Sequence, residues 1–196
     1  MTETGAARDL MRSAEIKEIV RSAYAAVDAS SETVAQKLYS PEELAQVPQS
    51  AIEGALGVGN HLRHAEIAVG DTLVDLGCGA GIDTILAARR TGPSGRVIAL
   101  DFLPDMLERT RAAAAEIGLT NVEPLQGDIE AIPLPDASVD HIISNGVVNL
   151  APRKARVLAE CARVLRPGGK ITLADLTVAE EDLPPEILSH PATWAG

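Results

Sequence analysis

The stretch "LVDLGCGAGIDT", Leu73 to Thr84, sets an acid and three glycines where an apolar run gives way to a helical pattern. Gly77, Gly79 and Gly81 spell G-x-G-x-G. Glycine permits positive φ and lets backbone N–H groups come close to a ligand. The helix that follows would offer a partly positive N-terminus. The spacing does not suit a phosphate. The dinucleotide fingerprint G-x-G-x-x-G needs glycine at 82, where Ile82 stands, and the phosphate loop G-x-x-x-x-G-K-[ST] is absent. Asp75, two residues before the first glycine, would repel a pyrophosphate and welcome a cation. Taken alone, G-x-G-x-G is a weak signal, and glycines at a tight strand-to-helix turn can be purely structural.

Companions strengthen a ligand reading. Asp101 closes the next apolar run, where a carboxylate can accept both hydroxyls of a ribose. "QGD" puts Gly127 and Asp128 after a third run, and a fourth ends at Ser144-Asn145. A ligand with a ribose, an adenine and a positive tail, but no phosphate, fits these positions. S-adenosylmethionine is such a ligand. If its chemistry needed a base, His61, His64 and His141 have the right pKa range for proton transfer near neutrality. His141 lies in a strand pattern and reads as packing or surface. His61 and His64 flank "GVGN", nearer the expected ligand, and His190 reads as exposed.

These residues need elements to position them. Apolar residues at Ile16, Ile19, Val20, Ala23, Tyr24 and Val27 predict a helix over 14–27. "YSPEEL" predicts a short helix with Ser40 as cap, Pro41 at its first position and Glu43 completing a capping box, stopping near Val47 before Pro48. "LGVGN", Leu56 to Asn60, reads as a loop, with a short helical piece through His64 and Ile67. Strands are then expected at 72–76, 96–100, 122–125, 139–144 and 170–174. Helices are expected at 82–90, 104–117 and 152–165. Alternating strands and helices imply right-handed βαβ units. The expected fold is α/β, a Rossmann-like doubly wound parallel sheet with an N-terminal helical segment. The chain divides into residues 1–68, a helical segment covering the ligand, and residues 69–196, the ligand-binding core.

Composition limits the partners. The net charge is −11 and only 2 % of residues are aromatic. That argues against nucleic acid, which needs concentrated Lys and Arg or stacking platforms. No apolar run approaches the roughly 18 residues of a membrane span. The N-terminus is polar and unlike a signal peptide. Two cysteines, Cys78 and Cys161, make no disulfide framework. A cytoplasmic setting and a small-molecule partner are the expectation.

"VDLGCGAGIDT", "VIALDFLPDML", "QGDIEAIPLPDASVDHIISNGVVNL" and "VLRPGGKITLADL" together resemble the class I S-adenosylmethionine-dependent methyltransferases. More narrowly, "YS-x-EEL", the "LG-x-GN" loop, "SN-x-V-x-NL" and "RVL-x-PGG" resemble the arsenite methyltransferases. The resemblance implies that Asp75, Gly77, Cys78 and Gly79 line the methionine end of S-adenosylmethionine. It implies that Asp101 binds the ribose, with Phe102 and Met106 near the adenine and Gly127, Asp128 and Ile129 flanking it. Asn145 would lie where the fourth strand opens on the methyl group, and Tyr39 would close over the cofactor. No catalytic residue and no metal ligand is assigned.

The resemblance fails where that family carries thiols for trivalent arsenic, a soft acceptor that suits soft ligands. Val58 and Gly146 stand at two of those positions, and "VDASSET" offers only Ser30 and Ser31. Cys161 reads as core. The expected activity is therefore methyl transfer to a small organic molecule. A truncated or split arsenite methyltransferase needing a second chain is an alternative, and so is a non-catalytic binding module. The chain stops at "HPATWAG", and Pro184, Pro185 and Pro191 exclude a central strand there. The final strand pair of the class is thus expected to be missing and the fifth strand to be a bare edge. A second copy, a partner chain or the N-terminal helix would cover it, with Trp194 nearby.

Overall fold

The computed structural model describes residues 13–23 and 32–177. Helix α1 covers residues 13–23. Three short helices follow: α2 (Glu32–Leu38), α3 (Pro41–Leu44) and α4 (Gln49–Glu53). A 3₁₀ turn at His61–His64 leads into the sheet. Then come β1 (Thr72–Leu76), α5 (Ile82–Thr91), β2 (Arg96–Asp101), α6 (Pro104–Glu116), β3 (Val122–Gln126), β4 (Val139–Asn145), α7 (Lys154–Val164) and β5 (Leu165–Ala174).

The five strands are parallel in the order β3-β2-β1-β4-β5. The chain winds from β1 outward to β3, then returns to the other side of β1 for β4. That reversal opens a crevice beyond the carboxyl ends of β1 and β4. The central strands read as continuous Val, Ile and Leu because both faces are covered. Leu73 and Ile143 face the side of α5 and the short helices; Val74, Leu76 and Ile142 face the side of α7. Each of these fully buried side chains contributes about 1.5–3 kcal/mol relative to exposure.

Edge positions tolerate what the centre cannot. Pro124 lies in β3, opposite Ala99, and lacks an N–H to donate. It is accommodated because β3 is an outer strand. At the other edge, β5 begins at Leu165, not Lys170. Val139 pairs with Leu165 and His141 with Lys170, so residues 166–169 bulge out opposite Asp140. The expected turn "RPGG" is thus a bulge inside a strand, and α7 correspondingly spans Lys154–Val164 rather than 152–165.

The capping box forms as expected. Glu43 N–H donates to Ser40 Oγ at 3.3 Å, and Ser40 N–H to Glu43 Oε2 at 2.9 Å. Pro48 behaves differently from expectation, for it also caps a new helix, α4. Proline fits a helix start as well as a helix end. The helix expected over 14–27 is observed within 13–23; Tyr24 and Val27 lie outside the described residues, as do Ser30, Ser31, His190 and Trp194. On β5, Ile171 and Leu173 are exposed, and so is Leu176 just beyond it. The described side-chain contacts of α1 with the core fall on the loops beyond β2 and β3, so α1 is not what covers that edge.

Candidate functional site

The crevice is a cavity walled by the loops that leave β1, β2, β3 and β4. The β1 loop contributes Asp75, Gly77, Cys78 and Gly79, and α5 adds Asp83 from its first turn. Gly77 has φ of +72°, and a Cβ there would sit 2.4 Å from Val147 Cγ2. Both constraints demand glycine. Gly79 has φ of +52°, and a Cβ there would meet nothing within 4 Å, so the loop leaves room for a ligand to approach closely. Asp101 ends β2 and is buried. It fastens the glycine loop, accepting from Gly79 N–H at 3.1 Å and from Leu103 N–H at 3.0 Å. Burial pushes its carboxyl up, and those backbone donors pull it partly back. Phe102 and Met106 form one wall, with Gly127, Asp128 and Ile129 from the β3 loop opposite.

Asn145, at the end of β4, is the fastener of the β4 side. Its Oδ1 accepts from Val58 N–H at 2.8 Å and Gly59 N–H at 3.2 Å. Its Nδ2 donates to Gly59 O at 2.8 Å, Asp83 Oδ2 at 2.9 Å and Tyr39 Oη at 3.3 Å. The loop at 57–59 is thereby welded to the sheet. Gly57 has to be glycine, since a Cβ there would meet Asn145 Nδ2 at 2.4 Å. Tyr39 is buried, and its hydroxyl donates to Asp83 Oδ1 at 2.8 Å. It stands one layer behind the wall and does not itself line the cavity. Burial, then the Asp83 charge, raises the Tyr39 pKa, so the hydroxyl stays protonated as a donor.

Of the twelve site residues expected from sequence, eleven line this cavity and Tyr39 supports it. Other residues were not foreseen. Asp83 bonds to Tyr39 and Asn145, and acids in a first helical turn are too common to attract notice. Glu130 is 1 % exposed; an acid set among Ile129, Ala131 and Ile132 was the available signal. Lys17 of α1 donates to Asp128 Oδ2 at 2.5 Å and Glu130 Oε2 at 2.6 Å. Arg153 donates to Glu130 through its backbone N–H at 2.8 Å and its guanidinium at 2.7 Å. On the same helix, the Arg21 guanidinium sits 5.6 Å above the Phe102 ring.

None of the candidate bases reaches the cavity. His61 is buried behind the wall with both ring nitrogens unpartnered. Burial keeps its pKa low. His64 is exposed. His141 packs in the sheet, its Nε2 2.9 Å from Thr172 Oγ1. Cys161 is core, in the cluster with Val157 and Val164. Among the described residues no group of three or more His, Cys, Asp and Glu side chains could hold a metal ion.

The charges reveal what the cavity lacks. Asp75 and Asp83 are 2 % and 6 % exposed. Thr84 Oγ1 donates to Asp75 Oδ2 at 2.6 Å. Among the described residues neither carboxylate has an ion pair: Lys17 is held by Asp128 and Glu130, and Arg90 by Glu43. Burial, and for Asp75 the neighbouring Asp83 charge, pushes both carboxyls up. Buried acids without cations call for a cationic ligand or a proton. A ligand with a ribose and a positive tail supplies the cation, so the residues fit S-adenosylmethionine.

Comparison with known proteins agrees. A family profile described as a methyltransferase domain matches residues 67–195. The arsenite methyltransferase of Halobacterium salinarum is 42 % identical over 158 residues, 81 % of this chain and 40 % of its own length. A demethylmenaquinone methyltransferase of Listeria monocytogenes is 36 % identical over 106 residues, 54 % of this chain and 45 % of its own. The crystal structure of an arsenic(III) S-adenosylmethionine methyltransferase from Chlamydomonas reinhardtii superposes with a TM-score of 0.70 at 38 % identity, covering 78 % of this chain and 53 % of that one. The chain thus spans about half or less of the length of these relatives. With the glycine loop, the acids and the sheet order already accounted for, the chain belongs to the methyltransferase-domain family, among the class I S-adenosylmethionine-dependent methyltransferases related to arsenite methyltransferases.

Proposed function

We propose that the chain transfers a methyl group from S-adenosylmethionine to a small organic molecule. One observation carries the choice of acceptor. A Cβ built on Gly146 would lie 3.2 Å from Val58 Cγ1. The two positions that carry thiols in the arsenite methyltransferase pattern are therefore neighbours without sulfur, Gly146 on the cavity wall and Val58 packed beside it. Leu56, Val147 and Leu150 form an apolar wall of the same cavity. Cys78 lies across the cavity in the glycine loop, where burial and then Asp75 push its thiol pKa up and disfavour the thiolate. A soft metalloid finds no ligand set; an apolar organic acceptor finds a matching face. The relative named for demethylmenaquinone supports an organic acceptor.

The residue roles follow from position. Asp101 would hold the ribose and, through Gly79, the shape of the glycine loop. Phe102, Met106 and Ile129 would enclose the adenine, with Asp128 beside it. The bound cofactor supplies a methyl group activated by its sulfonium charge. The protein then has to align the acceptor and exclude water. Asn145 contributes by fixing loop 57–59 against β4, and α1 contributes Val20 and Arg21 to the outer wall.

Titration calorimetry with S-adenosylmethionine, followed by labelled methyl transfer to a panel of small organic nucleophiles, tests this reading. Micromolar-range binding and transfer to an organic acceptor are expected, with none to arsenite. Methylated arsenicals from the purified chain would overturn the acceptor assignment. Cofactor binding without transfer to any acceptor would favour a binding module.

A further inference from the structure

Helix α1 forms the outer wall of the cavity, and the way it is fastened allows it to lift. Its inward side is Ser13, Ile16, Lys17 and Val20, spaced as one face of a helix. Ile16 and Val20 are buried, while Glu15, Glu18, Arg21 and Ser22 are exposed. The main polar fastening is Lys17, whose ammonium donates to Asp128 Oδ2 at 2.5 Å and Glu130 Oε2 at 2.6 Å. Those acids are held in place without it. Glu130 accepts from the Arg153 backbone N–H at 2.8 Å and from its guanidinium at 2.7 Å. Asp128 Oδ1 accepts from Glu130 N–H at 2.8 Å. If Lys17 lets go, no buried charge is orphaned: Glu130 keeps Arg153, and the partly exposed Lys17 and Asp128 both meet water. A second fastening is the Arg21 guanidinium over Phe102, since the Arg21 ion pair to Glu18 is internal to α1. Against these stands Ser13 Oγ, buried with no hydrogen-bond partner among the described residues. That penalty belongs to the closed arrangement alone, because water satisfies the hydroxyl once α1 lifts.

We propose that α1 is a clasp over the cavity, closed by Lys17 on Asp128 and Glu130, and that its opening sets how fast S-adenosylmethionine and its demethylated product enter and leave. The inference rests on the cofactor reading above. Glu130 and Arg153 make a fixed catch beside the start of α7, and Lys17 is the part that moves. With the clasp closed, Val20 and Arg21 cover the ligand and keep water from it. With the clasp open, the ligand exchanges with solvent. The clasp bars entry and exit alike, so weakening it speeds both and leaves the affinity nearly unchanged. A residue that merely gripped the ligand would behave differently, for its loss would speed exit alone.

The test is surface plasmon resonance with S-adenosylhomocysteine passed over the immobilised chain. Lys17→Met is expected to raise the association and dissociation rates together, each about tenfold, while the dissociation constant moves about threefold or less. Ser13→Ala should slow both rates about threefold, because the closed helix then buries no orphan hydroxyl. Raising NaCl from about 0.1 M to about 1 M should speed exchange in the wild-type chain and not in Lys17→Met. Hydrogen exchange of residues 13–23 without ligand should be faster in Lys17→Met and slower in Ser13→Ala. A faster dissociation with unchanged association would make Lys17 a ligand contact and overturn the clasp. Rates indifferent to Lys17→Met would overturn it as well. Should Lys17→Met lose its fold by circular dichroism, Ser13→Ala and the wild-type salt series decide. Absence of binding to the wild-type chain would instead sink the cofactor reading, and the inference with it.

Discussion

Asp101 carries two duties at once, holding the glycine loop by its Gly79 bond and presenting a carboxylate to the cavity. Replacing it with alanine should cost S-adenosylmethionine affinity on the order of 2–4 kcal/mol, the scale of two charge-assisted hydrogen bonds. Calorimetry reads this directly, and an Asp101→Ala variant that binds as well as the parent would remove Asp101 from the site. Asn145 works through its neighbours. Its amide is spent on loop 57–59, Asp83 and Tyr39, so Asn145→Ala leaves several buried partners unsatisfied. A stability loss of about 2–4 kcal/mol in urea denaturation is expected. The two cysteines give a third prediction. Both are buried; Cys78 has its thiol pKa raised well above normal, and Cys161 is pushed up to about 11 by burial. Neither should react with a disulfide reagent at neutral pH until the protein is unfolded, and rapid labelling of native protein would refute the placement.

At the scale of elements, α1, the β3 loop and the start of α7 meet at one carboxylate. Glu130 accepts from Lys17 of α1 and from Arg153 just before α7. Burial alone would raise its pKa; Arg153 and then Lys17 more than offset this and hold it below its ordinary value of 4.5. A depressed carboxylate stabilises the fold above its unfolded pKa, and that stability fades as pH falls through the folded value. Urea unfolding from about pH 7 down to about pH 3 should therefore show stability falling on the acid side. Glu130→Gln should flatten that part of the profile. At neutral pH, removing one partner of a buried pair typically costs about 3–5 kcal/mol, so the variant should also be less stable there. An unchanged acid profile in Glu130→Gln would mean that α1 is held by something else.

For the molecule as a whole, the open question is the β5 edge. A parallel sheet usually keeps its apolar strands covered, yet Ile171 and Leu173 are exposed on β5. Among the described residues no strand pairs with the outer side of β5, and an apolar edge of that kind invites pairing with another chain. Sedimentation at tens of micromolar should show concentration-dependent association, reduced in Leu173→Lys. A clean monomer across that range would sink the expectation that another chain covers the edge. The N-terminal helix, a third candidate for that cover, is engaged at the cavity through Lys17 and Arg21.

Local signals in the sequence determined the parallel α/β sheet and the glycine loop, and they named eleven of the residues that line the cavity. The reason is physical: strands covered on both faces must be continuous in Val, Ile and Leu, and ligands of such sheets sit where the strands end, so pattern and position coincide. Val58 and Gly146 could be named in the sequence as departures from a pattern. That they touch is decided by Asn145, whose bonds to residues 57–59 cross 86–87 positions of chain. Asp83 and Glu130 were invisible for a related reason. An acid in a first helical turn or a loop is ordinary until packing removes its water and leaves its partners to be counted. Tyr39 shows the limit from the other side: its type and place were legible, but only tertiary packing turned its hydroxyl toward Asp83, behind the wall. Burial and pairing are properties of distant neighbours, and distance along the chain does not encode them.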